Sequence, residues 1–205
     1  RGAFSEPEVA LARQAIDENL ASLSPLAKRA SSADDGAFVE DFCNWQRLPA
    51  MERFIRESPA ARLAGDLMGA HVVRLYHDHV LVKEPGTDVP TPWHQDQPYY
   101  CVDGTDTVSL WIPLDSVPRE RTLEFVAGSH KWGKYFRPER FNKTALNDND
   151  GLEPVPDIDG NRRPTPTDSP APVVGTQDDN ASYGATFDAL NIWELSVHWR
   201  STPTA

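Results

Sequence analysis

At 205 residues the chain is long enough for one domain with a substantial core, and β-rich barrels of this length commonly form a single unit. Its 20 Lys and Arg against 31 Asp and Glu leave a formal charge of −11, which repels phosphate backbones and anionic membranes and excludes nucleic acid as a partner. Two cysteines, Cys43 and Cys101, are too few for a disulfide framework and lack metal-ligand spacing, so they read as reduced packing residues in a cytoplasmic protein. No apolar run approaches the ~20 residues that span a bilayer, and Arg1-Gly2-Ala3-Phe4 carries no signal-peptide pattern. With no initiator methionine, the chain is expected to begin inside a longer reading frame.

The first 70 residues read as helical support. Ser5-Glu6-Pro7-Glu8 has the form of a capping box with proline early in the helix, and the spacing predicts a helix over about Glu6 to Leu23. Val9, Ala12, Ile16, Leu20 and Leu23 recur at helical spacing and form its expected inner face. Ser58-Pro59 starts a second helix, which carries Leu63, Leu67 and Met68 and stops at Gly69. Between them, Phe38 to Trp45 is aromatic-rich and reads as core packing, with a substrate entrance as the alternative.

From His71 the hydrophobic period changes to two, with β-branched and aromatic residues alternating between Pro and Gly turns, which predicts successive strands. His71 to Lys83 reads as one long strand. Parity places His77, His79, Leu81 and Lys83 on one face and Tyr76, Asp78, Val80 and Val82 on the other. Asp78 therefore points away from the two histidines, and all three read as packing or supporting groups rather than a metal triad.

Trp93 to Tyr100 sets an imidazole and a carboxylate two residues apart among aromatic side chains. In a strand, residues i and i+2 share a face, so His94 and Asp96 are expected to converge on one cation. A later histidine completes a 2-His-1-carboxylate triad, which leaves coordination positions open and is diagnostic of non-haem Fe(II) oxygenases. The bland alternative is a strand-end histidine bonded to a nearby acid.

Several separated motifs weigh against that alternative. Val82-Lys83-Glu84-Pro85-Gly86 is a strand ending in lysine before a proline turn, and His94-Gln95-Asp96 follows it. Ser109-Leu110-Trp111-Ile112-Pro113-Leu114 places a tryptophan before an apolar stretch, and Gly128-Ser129-His130-Lys131 closes the set. In this order the motifs resemble the phytanoyl-CoA dioxygenase family of Fe(II)- and 2-oxoglutarate-dependent oxygenases, over roughly residues 5 to 159.

The resemblance implies a mainly β fold: a double-stranded β-helix, a jelly-roll and cupin-like barrel, buttressed by N-terminal α-helices over residues 1–160. Residues 161–205 form an atypical C-terminal segment, read as an incomplete or divergent closing part of the same domain. It implies iron held by His94, Asp96 and a distal histidine, with 2-oxoglutarate and dioxygen as co-substrates. Lys83 and Gln95 are expected near 2-oxoglutarate, with Trp111 packed against it; the alternative for Lys83 is a solvated strand end. The implied reaction hydroxylates a small organic molecule and releases succinate and carbon dioxide. The family's turn at Gly128 is mainly structural, with Gly128 free to take a positive φ, so His130 is left off the iron.

The pattern departs in the last 45 residues. Asn161 to Pro172 reads as a Pro/Thr-rich linker, and no apolar run into a distal histidine is evident. His198, in the alternating run Leu195 to Trp199, is assigned as the third ligand. Arg200 is the available arginine for the distal carboxylate of 2-oxoglutarate, although it follows His198 by two residues rather than by about eleven. Truncation, a shifted reading frame or divergence each account for such an ending. Two other readings stand beside the oxygenase: a catalytically silent barrel binding metal or a small molecule through His94 and Asp96, and a zinc- or manganese-dependent hydrolase or isomerase of cupin type. The motifs around Lys83 and Trp111 argue against the last. Because Arg13, Lys28, Arg29 and Arg53 do not cluster into a basic rim, a neutral or cationic substrate is favoured over an acyl-CoA thioester.

Overall fold

A computed structural model describes residues 2–87, 89–102, 104, 106–115, 117, 123–126, 128–146 and 151–160, with backbone only at His130, and the backbone of 174–175, 183–185 and 192–201. The chain forms two compact units: residues 1–87, 104–117 and 189–205, and residues 88–103 and 118–188.

The first unit opens with helix α1 (Glu6–Ala21). The Ser5 amide donates to the Glu8 carboxylate at 2.6 Å, which satisfies a helix-end group as the capping box requires. Ala12, Ala15, Ile16 and Asn19 face inward and are fully buried. Leu23, expected on that face, lies beyond the helix end and is 46% exposed. Helix α2 (Pro49–Glu57) goes beyond the sequence expectation, although Pro49 at its first turn and the buried Met51, Phe54 and Ile55 at helical spacing are its signature. Helix α3 (Ala60–Met68) stops at Gly69, whose φ of 62° makes the left-handed cap expected there, while Leu67 faces solvent.

These helices cover one face of a five-stranded antiparallel sheet with order β1 (Lys28–Arg29), β2 (Phe38–Phe42), β3 (Val73–Lys83), β9 (Ile192–Ser201), β5 (Thr107–Pro113). Val80 and Val82 of β3 and Ile112 of β5 pack into the helical core with Ile16, Met51, Phe54 and Ala64. Alternation then assigns His77, His79, Leu81 and Lys83 to the other face. β3 is the long strand the period predicts, interrupted by a bulge: Leu75 pairs with Trp199 but His77 with His198, leaving Tyr76 as the extra residue.

Two buried carboxylates tie the N-terminal region to this sheet. Asp41 of β2 accepts from Asn19 Nδ2 and the Ser24 amide at 2.8 Å each. Asp78 of β3 accepts the amides of Asn44 and Trp45 at 2.9 Å each. Burial of Asp78 thus serves the loop after β2, in line with its expected supporting role. In that loop Cys43 holds a φ of 57°, and both Cys43 and Cys101 are exposed thiols rather than the packing residues expected.

The second unit carries a four-stranded sheet with order β4 (Thr91–His94), β8 (Tyr183–Ala185), β6 (Glu124–Val126), β7 (Val174–Gly175). Gly128, with φ 76°, leads into a 3-10 turn at Ser129–Lys131. Gly128 takes the positive φ expected of it, and the His130 side chain lies outside the described residues. The expected linker over Asn161 to Pro172 also lies outside them. Among the described residues no helix is long and apolar enough to cross a membrane.

Candidate metal centre and co-substrate face

β4 ends at His94, whose Cα pairs with that of Tyr183. Asp96 has already turned into the αR region, with φ −68° and ψ −41°, and leads the 3-10 turn Gln97–Tyr99. A strand-to-turn corner, rather than the strand parity expected from the sequence, therefore brings the two side chains together. His94 Nε2 lies 3.3 Å from Asp96 Oδ1.

The other ring nitrogen of His94, Nδ1, lies 2.7 Å from the Pro92 carbonyl, which only accepts, so Nδ1 carries the proton. The neutral imidazole then directs the Nε2 lone pair toward a carboxylate oxygen, and two acceptors at this distance require a cation between them. Burial favours neutral His94, but the hydrogen bond and charge of Asp96, helped by Pro92, outweigh it and raise the pKa above 6.5. A divalent metal meets the same need: bonds of about 2.0–2.2 Å to one ion set adjacent ligand atoms about 3 Å apart. The carbonyl on Nδ1 is the outer partner that fixes the tautomer of a ligating histidine. His94 and Asp96 thus fit ferrous iron. Among the described residues no third His, Cys, Asp or Glu joins them. The His198 side chain lies outside those residues.

Gln95, expected beside 2-oxoglutarate, engages the main chain at both ends of its amide. Its Nε2 donates to the Lys134 carbonyl at 3.2 Å, and its Oε1 accepts from the Phe136 amide at 2.9 Å. The Tyr99 hydroxyl donates to the Glu139 carbonyl at 2.5 Å and accepts from the Glu139 amide at 2.8 Å. Sequence reading missed these clasps, because partners about forty residues apart leave no local signal.

The remaining expected residues belong to the first unit. Lys83 is 3% exposed, and its Nζ stands 4.4 Å from the Phe38 ring centroid, so it is not the solvated strand end that sequence allowed. Trp111 pairs with Ser196 and alternates with the core residues Leu110 and Ile112, which places it on the same helix-free face as Lys83. His198 occupies the register position between His77 and Ser109, and Arg200 that between Arg74 and Thr107. His79, on this face, stacks on Phe42 at 4.0 Å with Nε2 3.5 Å from Glu40 Oε2, a packing role of the kind expected.

The register separates two residues expected to hold one co-substrate. Lys83 pairs with Ile192 and Arg74 with Arg200, at opposite ends of the β3–β9 ladder. At about 3.3 Å per residue, the strand from Ile192 to Arg200 spans about 26 Å, more than the joint reach of a lysine and an arginine around one carboxylate.

No curated protein matches the sequence. Among solved structures, the chain resembles the non-haem alpha-ketoglutarate-dependent carbocyclase SnoK from nogalamycin biosynthesis, with a TM-score of 0.67 and 21% identity over 97% of this chain and 76% of that one. EctD from S. alaskensis gives a TM-score of 0.61 at 19% identity, over 98% of this chain and 71% of that one. HygX from Streptomyces hygroscopicus, with nickel, 2-oxoglutarate and hygromycin B bound, gives 0.54 at 16% identity, over 100% and 82% of the two chains. At such identities the likeness establishes the fold, the jelly-roll architecture expected from sequence. The signature of the phytanoyl-CoA dioxygenase (PhyH) family matches residues 1–175, a segment that holds Lys83, His94, Asp96 and Trp111. This chain belongs to the phytanoyl-CoA dioxygenase family and is an enzyme of the Fe(II)- and 2-oxoglutarate-dependent oxygenase type.

Proposed function

We propose that this chain hydroxylates a small organic substrate, consuming 2-oxoglutarate and dioxygen and releasing succinate and carbon dioxide. The observation that carries the reading is the approach of His94 Nε2 to Asp96 Oδ1 at 3.3 Å, with the other ring nitrogen held by the Pro92 carbonyl. Ferrous iron, when bound, supplies the redox chemistry that couples decarboxylation of the 2-oxo acid to oxidation of a C–H bond. His94 and Asp96 bind it, and His198 is the third ligand. Lys83, buried on the helix-free face of the sheet, meets the distal carboxylate of 2-oxoglutarate, and Trp111 packs against its carbon chain. The distance along β9 between the partner of Lys83 and Arg200 favours leaving Arg200 out of that contact.

The substrate reading is a neutral or cationic small molecule. The net charge of −11 supports it, as do neighbours named for nogalamycin biosynthesis and for bound hygromycin B. Exposed thiols at Cys43 and Cys101 suit a reducing compartment, which favours the cytoplasm.

The test is an anaerobic Fe(II) titration with 2-oxoglutarate, following the visible charge-transfer band of the chelate in the chain and in His198→Ala. A band lost in the variant, with succinate release in the parent, supports the full reading. Metal binding without turnover instead indicates a catalytically silent barrel, a reading favoured by the family match ending at residue 175, before β9.

A further inference from the structure

We infer that Gln95 and Tyr99 are positioning residues that hold the His94–Asp96 pair against the segment 134–139, an inference that rests on the metal reading above. Asp96 sits at the corner where β4 has ended and the 3-10 turn begins, so no strand ladder fixes it. The side chains on either side of it supply equivalent bonds. The Gln95 carboxamide donates to Lys134 O and accepts from Phe136 N, two residues apart, as a main-chain amide does in a parallel ladder. The Tyr99 hydroxyl closes a reciprocal pair with the amide and carbonyl of Glu139.

The segment they hold is itself braced. The Arg137 amide donates to the Glu153 carbonyl at 2.7 Å, Lys134 Nζ reaches Glu153 Oε2 at 2.8 Å, and Trp132 meets Phe136 edge-on at 5.8 Å. Tyr99 also touches the metal site directly, since its ring lies edge-on to His94 with centroids 5.7 Å apart. Asp96 is thus suspended between two clasps on one fixed platform. Releasing either lets the carboxylate rotate away from His94 Nε2, and outer-shell changes of this kind weaken metal binding by about 10- to 100-fold.

The test titrates Co(II) into metal-free protein and follows its visible d–d bands, with thermal unfolding of the same metal-free samples as a control for folding. Tyr99→Phe keeps the ring beside His94 and removes both hydroxyl bonds; Gln95→Leu removes both amide bonds. Each is expected to lower Co(II) affinity by about tenfold and to alter band intensity, with a larger loss in the double variant. Gln95→Glu keeps the acceptor for the Phe136 amide and is expected to recover part of the loss. Wild-type affinity and bands in a folded double variant overturn the inference while leaving the metal reading intact. If the double variant does not fold, the isosteric Tyr99→Phe decides alone. Wild-type Co(II) binding in His94→Ala overturns the metal reading and this inference with it.

Discussion

Asp78 in β3 and Asn44 in the loop after β2 are joined by a bond in which the fully buried carboxylate accepts the Asn44 amide at 2.9 Å. The Trp45 amide reaches the other oxygen at the same distance. Burial raises the Asp78 pKa, only partly offset by those amides and by His77, whereas at Asp41 burial is outweighed by donation from Ser24 and Asn19, which lowers it. A raised carboxyl pKa means that the native state binds the proton more tightly than the unfolded chain, so the Asp78 contribution is greatest in acid and declines as pH rises above the ordinary 3.8. Asp41 behaves oppositely: its contribution is present above 3.8 and is lost as pH falls through its lower native value. Urea unfolding from about pH 3 to about pH 7 is expected to show Asp41→Asn losing the rising limb and Asp78→Asn the falling one. Each variant is expected to cost about 1–3 kcal/mol where the carboxylate is used, through amides left without their acceptor.

The opposite placement of Lys83 and Arg200 on the β3–β9 ladder separates their substitutions. Lys83→Gln is expected to raise the KM for 2-oxoglutarate by about ten- to a hundredfold, the worth of one charge-assisted bond. Arg200→Gln is expected to leave that KM unchanged. Succinate release against 2-oxoglutarate concentration reads both, and a KM raised by Arg200→Gln but not by Lys83→Gln contradicts the assignment.

Gly36 precedes β2 and lies against the turn that follows Lys83. A Cβ there would stand 2.2 Å from the Pro85 carbonyl oxygen and 2.8 Å from the Thr87 nitrogen. Neither is a flexible side-chain end, and the Gly36 amide already bonds the Gly86 carbonyl at 3.1 Å. Gly36→Ala is expected to destabilise the protein by about 1–3 kcal/mol through displaced backbone. An unchanged melting temperature counts against so close an approach.

The His94 imidazole is held protonation-prone by its neighbour. Burial is the largest single influence on His94 and lowers its pKa; with the charge of Asp96 removed in Asp96→Asn, less opposes it and the His94 pKa is expected to fall from its raised position. Titration of the histidine C2 proton by NMR in metal-free protein reads the change, and a pKa that stays raised assigns the effect elsewhere.

Local pattern was enough for much of the architecture. The capping box at Ser5 and Glu8, the stop at Gly69, the long period-two strand ending at Lys83 and the positive φ of Gly128 all follow from short-range sterics and hydrogen bonding. The candidate metal pair was readable as well, though from the set of motifs around His94 and Asp96 rather than from their spacing alone. The α2 helix was not foreseen, although Pro49 and the spacing of Met51, Phe54 and Ile55 carry its signal.

What the tertiary structure decided lies between residues distant in the chain. Burial of Lys83 against Phe38, the tie from Asp78 to Asn44 and Trp45, and the clasps of Gln95 and Tyr99 on 134–139 all depend on which strand or loop becomes a neighbour. The register of β9 is of the same kind: alternation in Leu195 to Trp199 predicts a strand, but only pairing with β3 and β5 sets His198 beside His77 and Ser109 and removes Arg200 from Lys83. A period of two carries the face of a residue and not its height along a neighbouring strand, so sequence named the chemical groups while non-local pairing determined which of them stand side by side.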